Sequence, residues 1–387
     1  MKRALYRLHL ITSSLRTTGD AIESVALPWS LLQSTGSLLS IGGFALFSHL
    51  PWVLLPPLLG RTLDRTTKKV RLAFLALLLQ SALAVIIIPL SSNVWAFYII
   101  VSCISALDIL HRYYGFSLIA SMTLDSSELQ GLNAKLATAG NAVSLVAFPM
   151  AGLLAYRFGI RVMLIDALLL LFGALTLLPY LNVEVRGEKA GKVGAEKRTK
   201  LSSRLVIGII ATVLLFNFAL GSFRIFVFAS LRMLSKGEVL YGILQSLTTV
   251  GSLVAVLLLA YLATRRLIGL KRPLTVGMLL QTFALLVVGF PSVLVLFPAV
   301  LLIGFGGELL NVSLDSLMQR HLPLGSLGTA RGIFDAFATL VIPISQLTFA
   351  WMLEGGTKVS NASFLAASLG FAAVVLLTSS MRHVDEG

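Results

Sequence analysis

Charge is what this 387-residue sequence has least of. Asp, Glu, Lys and Arg make up 12% of it, against about 25% in an ordinary soluble domain. Hydrophobic residues fill 57% and the mean hydropathy is +0.90, which excludes a water-soluble globular fold. Cysteine is nearly absent. Cys103 stands alone, so no intrachain disulfide can form, and it reads as a small buried hydrophobe. The five histidines, His9, His49, His111, His321 and His383, lack metal-ligand spacing, so neither a metal nor a cofactor is expected. No Gly-x-x-x-x-Gly-Lys-Ser/Thr loop occurs, which argues against hydrolysis of ATP by the chain itself. No Ser-His-Asp spacing or Glu-His metal motif points to an enzyme. A cleavable leader is not expected either. After Met1-Lys2-Arg3 the apolar region runs on through Asp20 and Glu23 to Pro28-Trp29 without a small-residue cleavage site.

What is present is a series of long apolar runs. A spanning helix needs roughly 20 apolar residues, and twelve such runs can be placed, at 8–33, 38–60, 72–91, 94–121, 133–156, 160–182, 204–230, 239–263, 273–290, 292–318, 331–353 and 360–380. The stretch from Glu184 to Arg204 is charged, glycine-bearing and free of aromatics, as a flexible linker is. The sequence therefore predicts an all-α membrane protein of twelve transmembrane helices. Residues 1–182 form one six-helix half, 183–203 the cytoplasmic linker and 204–387 the second half.

The formal net charge of +14 could suggest a nucleic-acid partner, but its distribution argues against one. With a cytoplasmic N-terminus, 23 of the 31 Lys and Arg fall on cytoplasmic segments. Five, Arg157, Arg161, Arg232, Lys236 and Lys358, fall on outer loops, and Arg16, Arg112 and Arg224 lie inside spans. That bias orients both termini to the cytoplasm and sets the basic loops against anionic lipid.

Five of those cations crowd between positions 61 and 71, in Gly60-Arg61-Thr62-Leu63-Asp64-Arg65-Thr66-Thr67-Lys68-Lys69 and Arg71. The stretch is expected to form a tight loop at one membrane face. Its spacing, Gly-x-x-x-Asp-Arg-x-x-Lys-Lys, resembles the loop between helices 2 and 3 of the major facilitator superfamily, with Thr67 at that pattern's second glycine. The second half echoes it at Thr264-Arg265-Arg266 through Lys271-Arg272, keeping the charge without the acid. Repeated halves are a common transporter plan.

Ionisable residues at bilayer depth are functional candidates by default. Span 1 carries Arg16, Asp20 and Glu23, span 4 Asp108, His111 and Arg112, span 7 Asn217 and Arg224, and span 10 Glu308, Asn311 and Asp315. In the superfamily that this chain resembles, helices 1, 4, 7 and 10 line a central cavity and helices 3, 6, 9 and 12 face lipid. Spans 3, 9 and 12 have no interior charge, and span 6 has only Asp166, near its outer end. Spacings of three and four put each set on one helix face. Desolvation favours the protonated form of a carboxylate and a nearby cation the ionised form. Asp20, Glu23, Asp108 and Glu308 are therefore candidates for a coupling proton. The alternative is structural: Arg16–Asp20 and Asp108–Arg112 as standing ion pairs. Glu23 lacks a basic neighbour one turn away and reads as the less compensated acid of span 1. His111 reads as a packing residue. Trp29, Tyr113, Phe216 and Phe226 lie where they could stack on a substrate.

Shorter stretches resemble the macrolide-efflux and enterobactin-exporter branch of that superfamily. They are Ser14 with Gly19-Asp20 and Leu27-Pro28-Trp29, then Leu132-Asn133, Phe148-Pro149-Met150-Ala151-Gly152, and Leu322-Pro323 through Gly328-Thr329-Ala330-Arg331-Gly332. The resemblance implies a monomeric secondary transporter of the cell membrane that exports a hydrophobic or amphipathic small molecule in exchange for protons. Alternating access would be gated by Gly60, Asp64, Arg65, Lys68 and Lys69 with Arg331 and Asp335. Uptake of a polar solute, export of a divalent cation near Asp20, or a non-transporting receptor of the same fold are the alternatives.

Overall fold

The computed structural model describes residues 2–120, 126–184, 203–264, 271–290, 292–321 and 324–381; the side chains of 57–65, 315–321 and 324–337, among others, lie outside that description. The described residues form twelve α-helices: α1 Lys2–Thr35, α2 Leu38–Arg65, α3 Lys69–Leu90, α4 Val94–Ala120, α5 Ser126–Phe158, α6 Met163–Leu177, α7 Ser203–Leu231, α8 Gly237–Thr264, α9 Lys271–Val287, α10 Leu296–His321, α11 Leu324–Glu354 and α12 Val359–Met381. Short 3-10 turns flank α6 at Gly159–Val162 and Leu178–Tyr180 and precede α10 at Val293–Val295. No strand occurs among the described residues. In lipid, a helix satisfies its own backbone hydrogen bonds, which is why apolar runs of this length become helices.

Eight stretches are long and apolar enough to cross a membrane, and one of them, Lys135–Tyr180, runs through both α5 and α6. Shorter apolar stretches lie in α9 and α11. α1 is not among the eight, because its middle turns carry Arg16, Asp20 and Glu23. Its charge is offset by partners on other helices, a compensation that no hydropathy sum contains.

One expectation is corrected. The basic stretch after Gly60 is not a loop. α2 continues to Arg65, only Thr66–Lys68 link it to α3, and Lys69 already opens that helix. α2 has 28 residues, about 42 Å at 1.5 Å per residue, against a hydrocarbon core of about 30 Å. Its last turns can stand beyond the core, and no proline or glycine follows Gly60 to break them. The matching stretch after α8, residues 265–270, and the linker at 185–202 lie outside the described residues.

Helix packing repeats itself along the chain. α1 packs on α5 and α6, and α3 on α4 and α6; six helices later, α7 packs on α11 and α12, and α9 on α10 and α12. A buried amide must find an acceptor, and the two copies solve this in the same way. Gln80 of α3 donates through Nε2 to the Ile104 carbonyl of α4 at 3.0 Å. Gln281 of α9 donates to the Ile303 carbonyl of α10 at 3.1 Å.

The chain divides into two compact units. The first holds Met1–Gly36, Phe47–Gly191 and Glu238–Ile243, and the second Ser37–Leu46, Lys192–Gly237 and Leu244–Gly387. The first is cored by Leu5, Val70, Leu77, Tyr114, Leu170 and Leu177. The second is cored by Phe216, Leu274, Met278, Ala373, Val374 and Leu377.

Candidate functional site

The first unit holds an ionic network centred on Arg16, a buried residue in the middle of α1. A guanidinium group offers five N–H donors in a planar fork and stays charged, so burying it demands several acceptors. Arg16 finds three carboxylates. Its Nη2 lies 2.7 Å from Asp20 Oδ1, its Nη1 bonds Glu23 Oε1 at 2.8 Å, and its Nε donates to Asp108 Oδ1 on α4 at 3.1 Å. Nη2 also reaches Glu23 Oε2 at 3.4 Å. Arg112, one turn above Asp108, donates from Nε to Asp108 Oδ2 at 2.8 Å and places Nη2 3.5 Å from Asp20 Oδ2. Asp20 and Asp108 therefore each bridge both arginines, and the four side chains close a ring between α1 and α4.

The expected intrahelical pairs Arg16–Asp20 and Asp108–Arg112 are both present, yet neither is self-contained. Glu23 is not the uncompensated acid that its local sequence suggests. It stands seven residues from Arg16, about 10.5 Å along the axis and on the same face, within reach of two long side chains. Exposure is graded across the network. The side chains of Arg16 and Asp108 are 6% and 7% exposed, Glu23 14%, Asp20 33% and Arg112 59%. The Arg112 guanidinium lies 5.3 Å from the Trp52 ring centroid, a cation–π distance.

Asp166 belongs to this site, although helix 6 was expected to face lipid. It is completely buried in the first turn of α6, against α1. A Cβ added at Gly19 would overlap Asp166 Oδ1 and fall 3.9 Å from Arg16 Nη1, so glycine is what admits the carboxyl at that point. Glu23 and Arg16 are the charged neighbours that act on it most strongly. Neither of its oxygens accepts a hydrogen bond from an N–H or O–H among the described residues.

Two turns from Arg16 lies a second buried group, which the sequence reading passed over. The His9 ring centroid sits 6.1 Å from that of His111 and 5.6 Å, edge-on, from that of Tyr114. A Cβ at Gly115 would overlap the His9 ring. His111 packs as expected and is buried beside Asp108.

In the second unit the candidates lie on α7 and α10. Asn217 on α7 and Glu308 on α10 are half-buried, and Asn311 is exposed. Glu308 makes no ion pair among the described residues. The Arg224 guanidinium lies 5.8 Å from the ring centroids of both Phe44 and Phe228. Of the basic stretch, Lys68 is exposed, and Lys69 is buried with Nζ 5.2 Å from the Tyr113 centroid. The side chains of Asp64, Arg65, Asp315, Arg331 and Asp335 lie outside the description; their backbones and that of Gly60 are helical. Trp29, Phe216 and Phe226 are buried and act as packing. Cys103 is exposed, not buried, because α4 turns Val101 and Ile104 inward instead.

The sequence pattern described as the Major Facilitator Superfamily matches residues 10–346. Among solved structures the chain resembles the nucleoside transporter NupG, at 13% identity and a TM-score of 0.78 over 98% of this chain and 99% of that one. It also resembles a bacterial homologue of the iron transporter ferroportin in an inward-facing state, at 17% identity and a TM-score of 0.77 over 98% and 99%. The POT family transporter PepTSo follows at 14% identity and 0.69 over 98% of each chain. No curated protein matches the chain.

Proposed function

The chain belongs to the major facilitator superfamily and is a multi-pass membrane transporter; from that premise we propose that it exports a hydrophobic or amphipathic small molecule in exchange for protons, by alternating access. The observation that carries this reading is an imbalance. Four carboxyls, Asp20, Glu23, Asp108 and Asp166, share one network with only two guanidinium groups, Arg16 and Arg112. A buried acid in excess of its cations is costly when ionised. The excess is relieved by a proton or by a cationic group on a substrate.

Asp20 is the point of exchange in this reading. It is the most exposed of the network's acids, and its contact to Arg112 is the longest ion pair. Protonating Asp20 weakens its hold on Arg112. A cationic substrate group competes for the same carboxylate while Trp52 offers an apolar face beside it. One carboxylate that takes either a proton or the cargo is enough to exchange them. Gly60, Asp64, Arg65, Lys68 and Lys69 at the α2–α3 junction, with Arg331 and Asp335 on α11, are assigned by the resemblance to the cytoplasmic gate. Asn217, Arg224, Glu308, Asn311 and Asp315 are assigned to substrate contact. Both termini are cytoplasmic and the protein works as a monomer.

The fold alone does not choose the cargo, since the similar structures are named for nucleoside, iron and peptide transport. Export of a divalent cation finds little support. Every oxygen of Asp20, Glu23 and Asp108 already faces a guanidinium nitrogen. Among the described residues no group of three potential ligands is placed to hold a metal.

The test is proton movement in proteoliposomes carrying an internal pH dye, scanned with lipophilic cations, macrolides and siderophores. Substrate-triggered proton movement that Asp20→Asn slows by about 100-fold, the lower range for a lost proton-transfer group, is expected. Substrate movement without protons in the wild type overturns the reading.

A further inference from the structure

We propose that Glu23 of α1 and Asp166 of α6 form a proton-binding site in which two facing carboxyls share one proton. What that proton does in transport rests on the proton-coupled reading above; the site itself rests on geometry.

Asp166 is fully buried, and no N–H or O–H among the described residues reaches either of its oxygens. It sits in the first turn of α6, where a helix dipole favours an anion, yet it accepts no backbone N–H there. Its near neighbour of opposite charge, Arg16, is already committed. All three guanidinium nitrogens of Arg16 lie against other carboxylates, those of Asp20, Glu23 and Asp108. What Asp166 does meet is α1 itself: its carboxyl fills the space over Gly19, one turn before Glu23, and the Glu23 carboxyl is its foremost charged neighbour.

Two ionised carboxylates set side by side offer each other only lone pairs, so their approach becomes a bond when one of them carries a hydrogen. Glu23 is bonded by Arg16 on one side, Nη1 to Oε1 at 2.8 Å. Asp166 has no such support. The hydrogen therefore sits on Asp166 and is donated to Glu23, as an O–H···O bond between an acid and a carboxylate. Other charges facing the pair are few. From α1 come Arg16, Asp20 and Glu23 themselves, and beyond Arg16 stand Asp108 and Arg112 of α4. α3, which also packs on α6, brings only Lys69 and Arg71. These sit at its far end, where Arg71 bonds the Leu181 carbonyl beyond the end of α6. Arg161 before α6 is exposed.

Exposure rises from Asp166 through Glu23 and Asp20 to Arg112. That order makes Asp166 the inner end of a carboxyl ladder. A proton taken from water at Asp20 can pass to Glu23 and rest on Asp166, and it leaves by the reverse route.

Infrared spectroscopy of the purified full-length protein in lipid nanodiscs tests the pair without requiring transport. The wild-type minus Asp166→Asn difference is expected to contain the carbonyl stretch of one neutral carboxylic acid, shifted by deuterium exchange. In the wild-type minus Glu23→Gln difference the band is expected as a shifted pair, because Asp166 keeps its hydrogen and loses only its carboxylate acceptor; this difference also serves if Asp166→Asn fails to assemble. Absence of the band from both differences overturns the proposal. In the pH-dye assay the Asp166→Asn protein is expected to move fewer protons per substrate than the wild type. A wild type that shows the band but moves no protons with substrate leaves the shared proton standing and overturns the transport reading alone.

Discussion

The two units use one packing plan for opposite electrostatic ends. In each, the first helix of the six packs on the fifth and sixth, the third packs on the fourth and sixth, and a glutamine crosses from the third to a carbonyl of the fourth. Setting Gly19 of α1 over Gly221 of α7 puts Phe218, Ser222 and Ile225 where the first unit has Arg16, Asp20 and Glu23. The second copy keeps the close-packed glycine, here against α11 and Ser345, and no cluster of ion pairs like that around Arg16 occurs in it among the described residues. Its cation, Arg224, rests on aromatic faces, and its acid, Glu308, has no ion-pair partner among the described residues. The comparison teaches that the packing of the first helix on the fifth and sixth forms without charges at these three positions. A helix plan that forms in the second copy with Phe218, Ser222 and Ile225 at these positions leaves the charges of the first copy free for something other than packing.

The sharpest way to break that comparison is to remove each unit's central cation. Arg16→Met leaves up to four acids without their hub. A broken buried ion network costs about 3–5 kcal/mol, so a large fall in melting temperature in detergent is expected. Arg224→Met removes a cation–π contact worth about 0.5–2 kcal/mol and should shift melting much less. Equal losses would mean that the second unit hides a comparable network. A smaller effect separates the two acids. Glu308→Gln is expected to change substrate affinity while proton movement per substrate persists, the reverse of Asp20→Asn. Loss of proton coupling in both would move the exchange point out of the first unit. The smallest effect probes the packing. Gly19→Ala should cost about 1–3 kcal/mol by crowding Asp166. Asp166→Ala in the same chain should relieve that crowding, seen as a double variant that melts higher than the two separate losses predict. Strict additivity would mean that the two residues do not touch.

Much of the fold was legible in the sequence because bilayer physics is written in composition. Runs of apolar residues of spanning length become helices, and the motif at Gly60 pointed to the superfamily. The ring of Arg16, Asp20, Asp108 and Arg112 was half legible, since spacings of four showed each pair on its own helix. The closure of the ring was not, because nothing in either span states that α1 faces α4 at that height. Asp166 was missed for a related reason. Treating helix 6 as lipid-facing assigned it an environment by analogy, while its own signal was plain: a lone acid in a helix otherwise free of charge.

The sequence by itself determined that the chain lives in a membrane, how many times it can cross, and which helices carry charge. Those properties are sums and periodicities along one strand of covalent bonds. Only the tertiary structure decided which charges meet. An arginine's reach covers its own helix and its neighbours alike, and the choice among them depends on rotation and height that local sequence does not fix. Gly19 shows this most simply. In the sequence it is a missing side chain in α1, and in the fold it is the space that a carboxyl of α6 occupies.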